Sequence, residues 1–150
     1  MRQPDHMQRR LLLAASAALL LSTACSRSDP ERELRETIAR MARAIEARQP
    51  DEFLKGLSED FTRESSAFDK REARRLLAGL MLRNERVALA VVVTELDISG
   101  DRARVRLQVV ATGSSGGLLP ERGQAWTFDS AWRRESGAWK VFNADWRESL

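Results

Sequence analysis

Four tryptophans and two aspartates crowd the last quarter of this 150-residue chain, and they are its strongest candidates for chemistry. A carboxylate serves as a general base when an apolar pocket raises its pKa toward neutrality. Asp129 and Asp145 both stand among aromatic residues, the first between Phe128 and Trp132, the second beside Trp146. The plain alternative is a solvated carboxylate on a strand face, paired with one of the many arginines. Trp126, Phe128 and Trp132 share strand parity, so they fall on one face. They either line an aromatic pocket for an apolar ligand or fill the core under the sheet. The pocket candidates are therefore Trp126, Phe128, Asp129, Trp132 and Asp145, and no residue is assigned as catalytic.

Other chemistries lack their parts. His6 is the only histidine and Cys25 the only cysteine. No ligand set for zinc and no calcium-loop spacing is present, so no metal is expected. Phosphate loops, serine nucleophile elbows and dinucleotide fingerprints are absent, and no cofactor is expected. The formal charge of +3 is misleading. Arg2, Arg9, Arg10 and Asp5 supply +2 of it, leaving 22 basic and 21 acidic residues from Cys25 onward. That balance gives a nucleic-acid partner no support.

Cys25 carries chemistry of another kind. Gln8-Arg9-Arg10 precedes an apolar run, Leu11 to Leu21, broken only by Ser16. Eleven residues fall short of the ~20 that a spanning helix needs, and the pattern is that of an export signal. Met7 begins an equally compact signal. Leu21-Ser22-Thr23-Ala24-Cys25 resembles the lipobox of bacterial lipoproteins, with Ala24 in place and Leu21 one residue further back than that family prefers. The resemblance implies cleavage before Cys25 and acyl chains on it. Ordinary secretion with cleavage near Ala24 is the other reading. A multiply acylated cysteine holds a protein on a membrane without a transmembrane helix. Residues 1–24 are thus a signal peptide, 25–30 the lipidated cysteine and a short tether, and 31–150 one domain. The expected location is the bacterial cell envelope. Ser26 rather than Asp after the cysteine favours the periplasmic face of the outer membrane, by analogy with enterobacterial lipoproteins.

The elements that must position the aromatic cluster are legible from periodicity. Asp29-Pro30 starts a helix whose stripe is Leu34, Ile38, Met41 and Ile45, ended by Gln49-Pro50. Asp51 opens a short second helix with Phe53, Leu54 and Leu57. Phe61 to Phe68 is a linking stretch with room for a brief strand. Asp69 with Glu72 caps a third helix that buries Ala73, Leu76, Leu77, Leu80 and Met81, with Asn84 as its stop. The period then changes to two. Strands are expected over 86–98, 102–111, 124–135 and 138–148, with turns at Ser99-Gly100-Asp101 and Ser136-Gly137. Arg102, Arg104 and Arg106 form a basic strand face, set to meet acidic headgroups or a partner, or to pair with Glu95 and Asp97. Leu118 and Leu119 sit in a Gly/Ser loop, as a pocket lid or partner contact, or folded back on the core.

Helices first and a meander of long strands afterwards give an α+β fold: three N-terminal helices packed on a curved, mainly antiparallel four-stranded sheet. The entry Ala44-Ile45-Glu46-Ala47-Arg48-Gln49-Pro50-Asp51-Glu52-Phe53-Leu54 and the closing Phe128 to Val141 hairpin, with its Trp139-Lys140-Val141 strand, resemble the nuclear transport factor 2-like superfamily. The resemblance implies a cone enclosing a pocket. In that superfamily some members are isomerases, dehydratases or cyclases that use an Asp or an Asp–His pair, and others only bind or assemble. The His half is absent here. The expectation is a non-catalytic envelope lipoprotein that binds a small apolar ligand or a protein partner, with a homodimer through the sheet. The alternatives are an isomerase or hydrolyase with Asp129 or Asp145 as base, and an assembly module with a filled pocket. Metabolic labelling with a palmitate analogue is expected to tag the wild-type chain and spare Cys25→Ser; equal labelling of both would remove the anchor.

Overall fold

The computed structural model describes residues 29–63, 66–114 and 123–149. The expected signal, His6, Cys25 and Leu118-Leu119 lie outside the described residues. Helix α1 (Pro30–Glu46) begins where expected, with the Asp29 carboxylate accepting the Glu31 N–H at 3.0 Å. Its stripe Leu34, Ile38, Met41 and Ile45 is buried, and Leu34 is fully so. Helix α2 (Pro50–Leu54) is shorter than expected, because Leu57 begins a strand instead of ending the helix. Helix α3 (Lys70–Arg83) starts at the Asp69 cap, whose carboxylate accepts the Glu72 N–H at 2.8 Å. Ala73 and Leu77 are buried there, but Leu76, expected inside, is 52% exposed.

The sheet has five strands, not four. The added one is β1 (Leu57–Arg63), which lies between α2 and α3 in the chain. Strands β2 (Arg86–Ser99), β3 (Arg102–Ser114), β4 (Gln124–Glu135) and β5 (Ala138–Ser149) follow as a meander. The order is β1-β5-β4-β3-β2, with β1 parallel to β5 and every other pairing antiparallel. Strand β1 is short and slips register against β5. That irregularity hides it from a period-two reading.

Two single-residue bulges shape the sheet. In β2, Val93 faces Leu107 and Glu95 faces Arg106, which leaves Thr94 without a partner. In β5, Val141 faces Trp132 and Asn143 faces Ala131, which leaves Phe142 extra. A bulge bends its strand and switches which parity faces inward. Inward residues on β2 accordingly run Val87, Leu89, Val91, Val93, then Leu96, Ile98. On β5 they run Trp139, Val141, then Ala144, Trp146. All of these belong to or pack against one core cluster with α1, Ala73 and Leu77 of α3, and Val105 and Trp132. Both helices therefore cover the same, inner face.

Long-range contacts tie the helices to the sheet ends. Arg134 reaches Glu33 at 2.6 Å and stacks 4.6 Å from the Trp139 ring, so the start of α1 sits beside the Gly137 turn. At the other end Arg48, in the left-handed region at φ 57°, donates to the carbonyls of Met81, Asn84 and Glu85. Glu46 accepts the N–H of Leu89 on edge strand β2 at 2.8 Å. Gly56 lies against Met41: a Cβ there would stand 2.4 Å from its sulfur. Leu34→Ala is expected to lower unfolding free energy by about 2–5 kcal/mol. Gly56→Val is expected to lower it by about 1–3 kcal/mol through overpacking. Both shifts are read from denaturant midpoints.

Candidate functional site

The inner face divides into a fully buried half and a half-buried half. Near the Gly100 and Gly137 turns, Trp132 and Trp139 are 3% and 2% exposed and lie in the closed core. Toward the other end the apolar side chains are only half-buried: Phe68, Leu80, Met81, Val109, Phe128 and Trp146. Aromatic rings organise this wall. Phe68 meets Trp146 edge-on at 5.1 Å, and Phe128 tilts against it at 5.7 Å. The Arg63 guanidinium sits 4.2 Å from the Trp146 ring. Arg63 is fixed there by Asp145 at 3.1 Å and by the Trp146 carbonyl at 2.8 Å. The wall is thus half-buried aromatic area with a guanidinium at its edge.

The sequence-predicted residues separate into two sets. Trp126, Phe128 and Trp132 share the inner face, opposite Val109, Leu107 and Ala103 of β3. Trp132 belongs to the sealed core, its indole N–H donating to Ser130 at 2.9 Å. Trp126 and Phe128 belong to the half-buried end. Asp129 and Asp145 face each other across β4 and β5 on the opposite, outer face, and so do not line a pocket. Asp129 is clasped by Arg106 at 2.6 Å, with Arg147 at 3.3 Å. Arg106 also binds Glu95, while Arg102 lies 5.2 Å from the Phe142 ring; of the basic strand face only Arg106 pairs with an acid across the sheet among the described residues. Asp145 is spent on Arg63.

The electrostatics run against a base at Asp129. The Arg106 hydrogen bond holds its carboxyl below the usual range despite some burial, reinforced by the charges of Arg106 and Arg147. General-base work in this fold asks for the reverse shift. Glu135 is likewise lowered, first by the hydroxyl of buried Ser58 and then by Arg133, and Asp60 is lowered by its hydrogen bond from Arg133. Glu148 has an inward register position, across from Trp126, and is exposed. Among the described residues no cluster of His, Cys, Asp or Glu is arranged to hold a metal ion.

Sequence reasoning missed Arg63, Phe68, Glu148 and the pairing of Trp146 with Phe128. Counting back from the Ser136-Gly137 turn puts Asp145 opposite Phe128; the Phe142 bulge puts Trp146 there instead. The switch in apolar parity, from Trp139 and Val141 to Ala144 and Trp146, is the signal that marks it.

Carboxylates whose pKa is depressed on folding lend stability above their unfolded value, near 4, and lose it as pH falls through the folded value. The thermal midpoint is expected to stay level from pH 8 to about 5 and to fall below about 4. Asp129→Asn is expected to shrink that fall, since it removes one such group. Thermal melts across pH check both.

The fold recurs widely among solved structures. A protein from Novosphingobium aromaticivorans assigned to the scytalone dehydratases superposes with a TM-score of 0.71 at 16% identity, covering 80% of this chain and 84% of that one. A protein of the NTF2-like family from Streptomyces avermitilis, assigned as a dehydratase, gives 0.65 at 16% identity, over 79% and 95%. A hexachlorocyclohexane dehydrochlorinase from Novosphingobium barchaimii gives 0.64 at 16% identity, over 80% and 86%. At these identities the likeness speaks for the fold, which is the nuclear transport factor 2-like one. No curated protein sequence matches. The model of the SnoaL-like domain family matches residues 26–145, and the chain belongs to that family.

Proposed function

We propose that this chain is a lipid-anchored envelope protein whose SnoaL-like domain binds a small apolar ligand without transforming it. The observation that carries the binding half is the aromatic wall of Phe68, Phe128 and Trp146, half-buried on the inner face. Complete burial would make these rings core; full exposure would make them surface. Half-burial leaves apolar area that a ligand covers with a gain of roughly 25 cal/mol per Å². The anchor rests on Cys25 and its lipobox-like context. A second copy docking on the outer face, where Val92 and Val110 stand 58% and 44% exposed, fits the same reading.

The solved relatives assigned to dehydration and dehydrochlorination favour a second reading, an elimination enzyme. It needs a base on the inner face. Asp129 and Asp145 are on the other side, and Glu148 is the inward carboxylate of β4 and β5, standing exposed beyond Trp126. Ser130 donates to the Val105 carbonyl at 3.0 Å and accepts from Trp132, so its hydroxyl is committed to structure.

Titration with an uncharged naphthylamine fluorophore tests the binding reading. Wild-type protein is expected to give saturable enhancement, and Trp146→Ala or Phe128→Ala to weaken it about tenfold. Glu148→Gln is expected to leave binding unchanged. Linear, unsaturable enhancement, or identical affinity in the aromatic variants, would overturn it.

A further inference from the structure

The arginines of the sheet show how many acids a guanidinium in this domain holds. Arg106 takes both Asp129 and Glu95. Arg133 takes both Asp60 and Glu135. Among the described residues Arg63 takes Asp145 alone, through Nε, and gives an Nη2 N–H to the Trp146 carbonyl. A guanidinium also donates from Nη1, and that nitrogen of Arg63 has no acceptor among the described residues. Asp145 therefore compensates the charge of Arg63 without filling its fork. The side chain is 34% exposed, so the unused end of the fork is open to water. Arg63 is also firmly held. Its backbone N–H donates to the Phe68 carbonyl at 2.9 Å, and its guanidinium lies 4.2 Å from the Trp146 ring. It shares strand parity with buried Phe61 and registers with Ala144, both of the core cluster. Strand β1 thus delivers a half-used guanidinium to the rim of the aromatic wall.

We infer that Arg63 is a specificity-determining residue, which receives the carboxylate of an aromatic acid whose ring packs on Trp146, Phe68 and Phe128. The inference deepens the binding reading and rests on it. The end of a guanidinium fork matches the two oxygens of a carboxylate, with parallel N–H···O bonds that a lone ammonium does not supply. Arg106 and Arg133 already hold a second acid in this way, so a second acid on Arg63 asks for nothing new of the domain. The π faces and edges of the wall suit a flat ring beside that carboxylate. Glu148, the inward carboxylate two residues beyond Trp146 on β5, repels an anion at the Trp126 end and leaves the Arg63 end for it. Because Asp145, the Trp146 carbonyl and the Phe68 carbonyl fix Arg63 in place, little ordering remains to be done when the acid binds. A neutral ester or amide of the same shape keeps the packing and loses the charge-assisted pair.

Displacement of the uncharged naphthylamine fluorophore from the full chain tests this, with 2-naphthoate set against 2-naphthamide and methyl 2-naphthoate. Wild-type protein is expected to release the fluorophore at about tenfold lower naphthoate than amide or ester. Arg63→Gln is expected to bring the three competitors level, and Arg63→Lys to keep part of the preference. Arg106→Gln, which removes a cation from the outer face, is expected to leave the preference whole. Equal displacement by the acid and its neutral analogues from wild-type protein would overturn the inference while the binding reading stands. A preference that survives Arg63→Gln, or that Arg106→Gln removes, would overturn it as well. A fluorophore signal that never saturates overturns the binding reading, and this inference with it. Thermal midpoints of the variants check that a lost preference is not a lost fold, and the wild-type comparison needs no variant.

Discussion

One extra residue in β5 fixes what the inner face is made of. With Phe142 bulged out, Ala144 and Trp146 point toward the helices, while Asn143, Asp145 and Arg147 point away. Without it, parity would reverse for the rest of the strand and carry three polar side chains under the helices. Burying an unpaired carboxylate or guanidinium costs several kcal/mol, far more than a bulge. The bulge also bends the strand, and Thr94 does the same on β2. Curvature and chemistry of the site thus come from the same two irregularities.

The outer face is organised by the same register. Once Asp129 and Asp145 face outward, the arginines of neighbouring strands can reach them. Glu95, Arg106, Asp129 and Arg147 then run across β2, β3, β4 and β5 as one chain of ion pairs. Exposed pairs of this kind add little to stability, because solvent screens them. Their larger effect is on identity: they hold Asp129 ionised and oriented away from the interior. A carboxylate so held is a strut between strands.

Much of the architecture was legible in the sequence because it is regular. The α1 stripe, both helix caps and all four long strands follow from spacing that physics constrains tightly. Alternation put Arg106 on an outward face and left pairing with Glu95 as one of its two readings, the one the structure shows. What was not legible is what breaks period. Strand β1 slips register, so alternation fails to announce it. Leu76 carries the apolar character of a core residue yet sits on the solvent side of α3. The placement of Asp145 turns on Phe142, a single residue whose side chain, with Arg102 at 5.2 Å and Arg133 at 5.0 Å over its ring, looks from sequence like any other strand aromatic. A site lying beyond a bulge is invisible to a period-two reading even when both strands are recognised.

The bond from Glu46 to the Leu89 amide bears on a different matter. Strand β2 is the long edge of the sheet, rich in valine, and such an edge invites a strand from another molecule. By occupying an outward amide in that run, a helix side chain interrupts the row of donors a foreign strand would need. Wherever copies of the protein are crowded, that single carboxylate helps keep them from stitching together edge to edge.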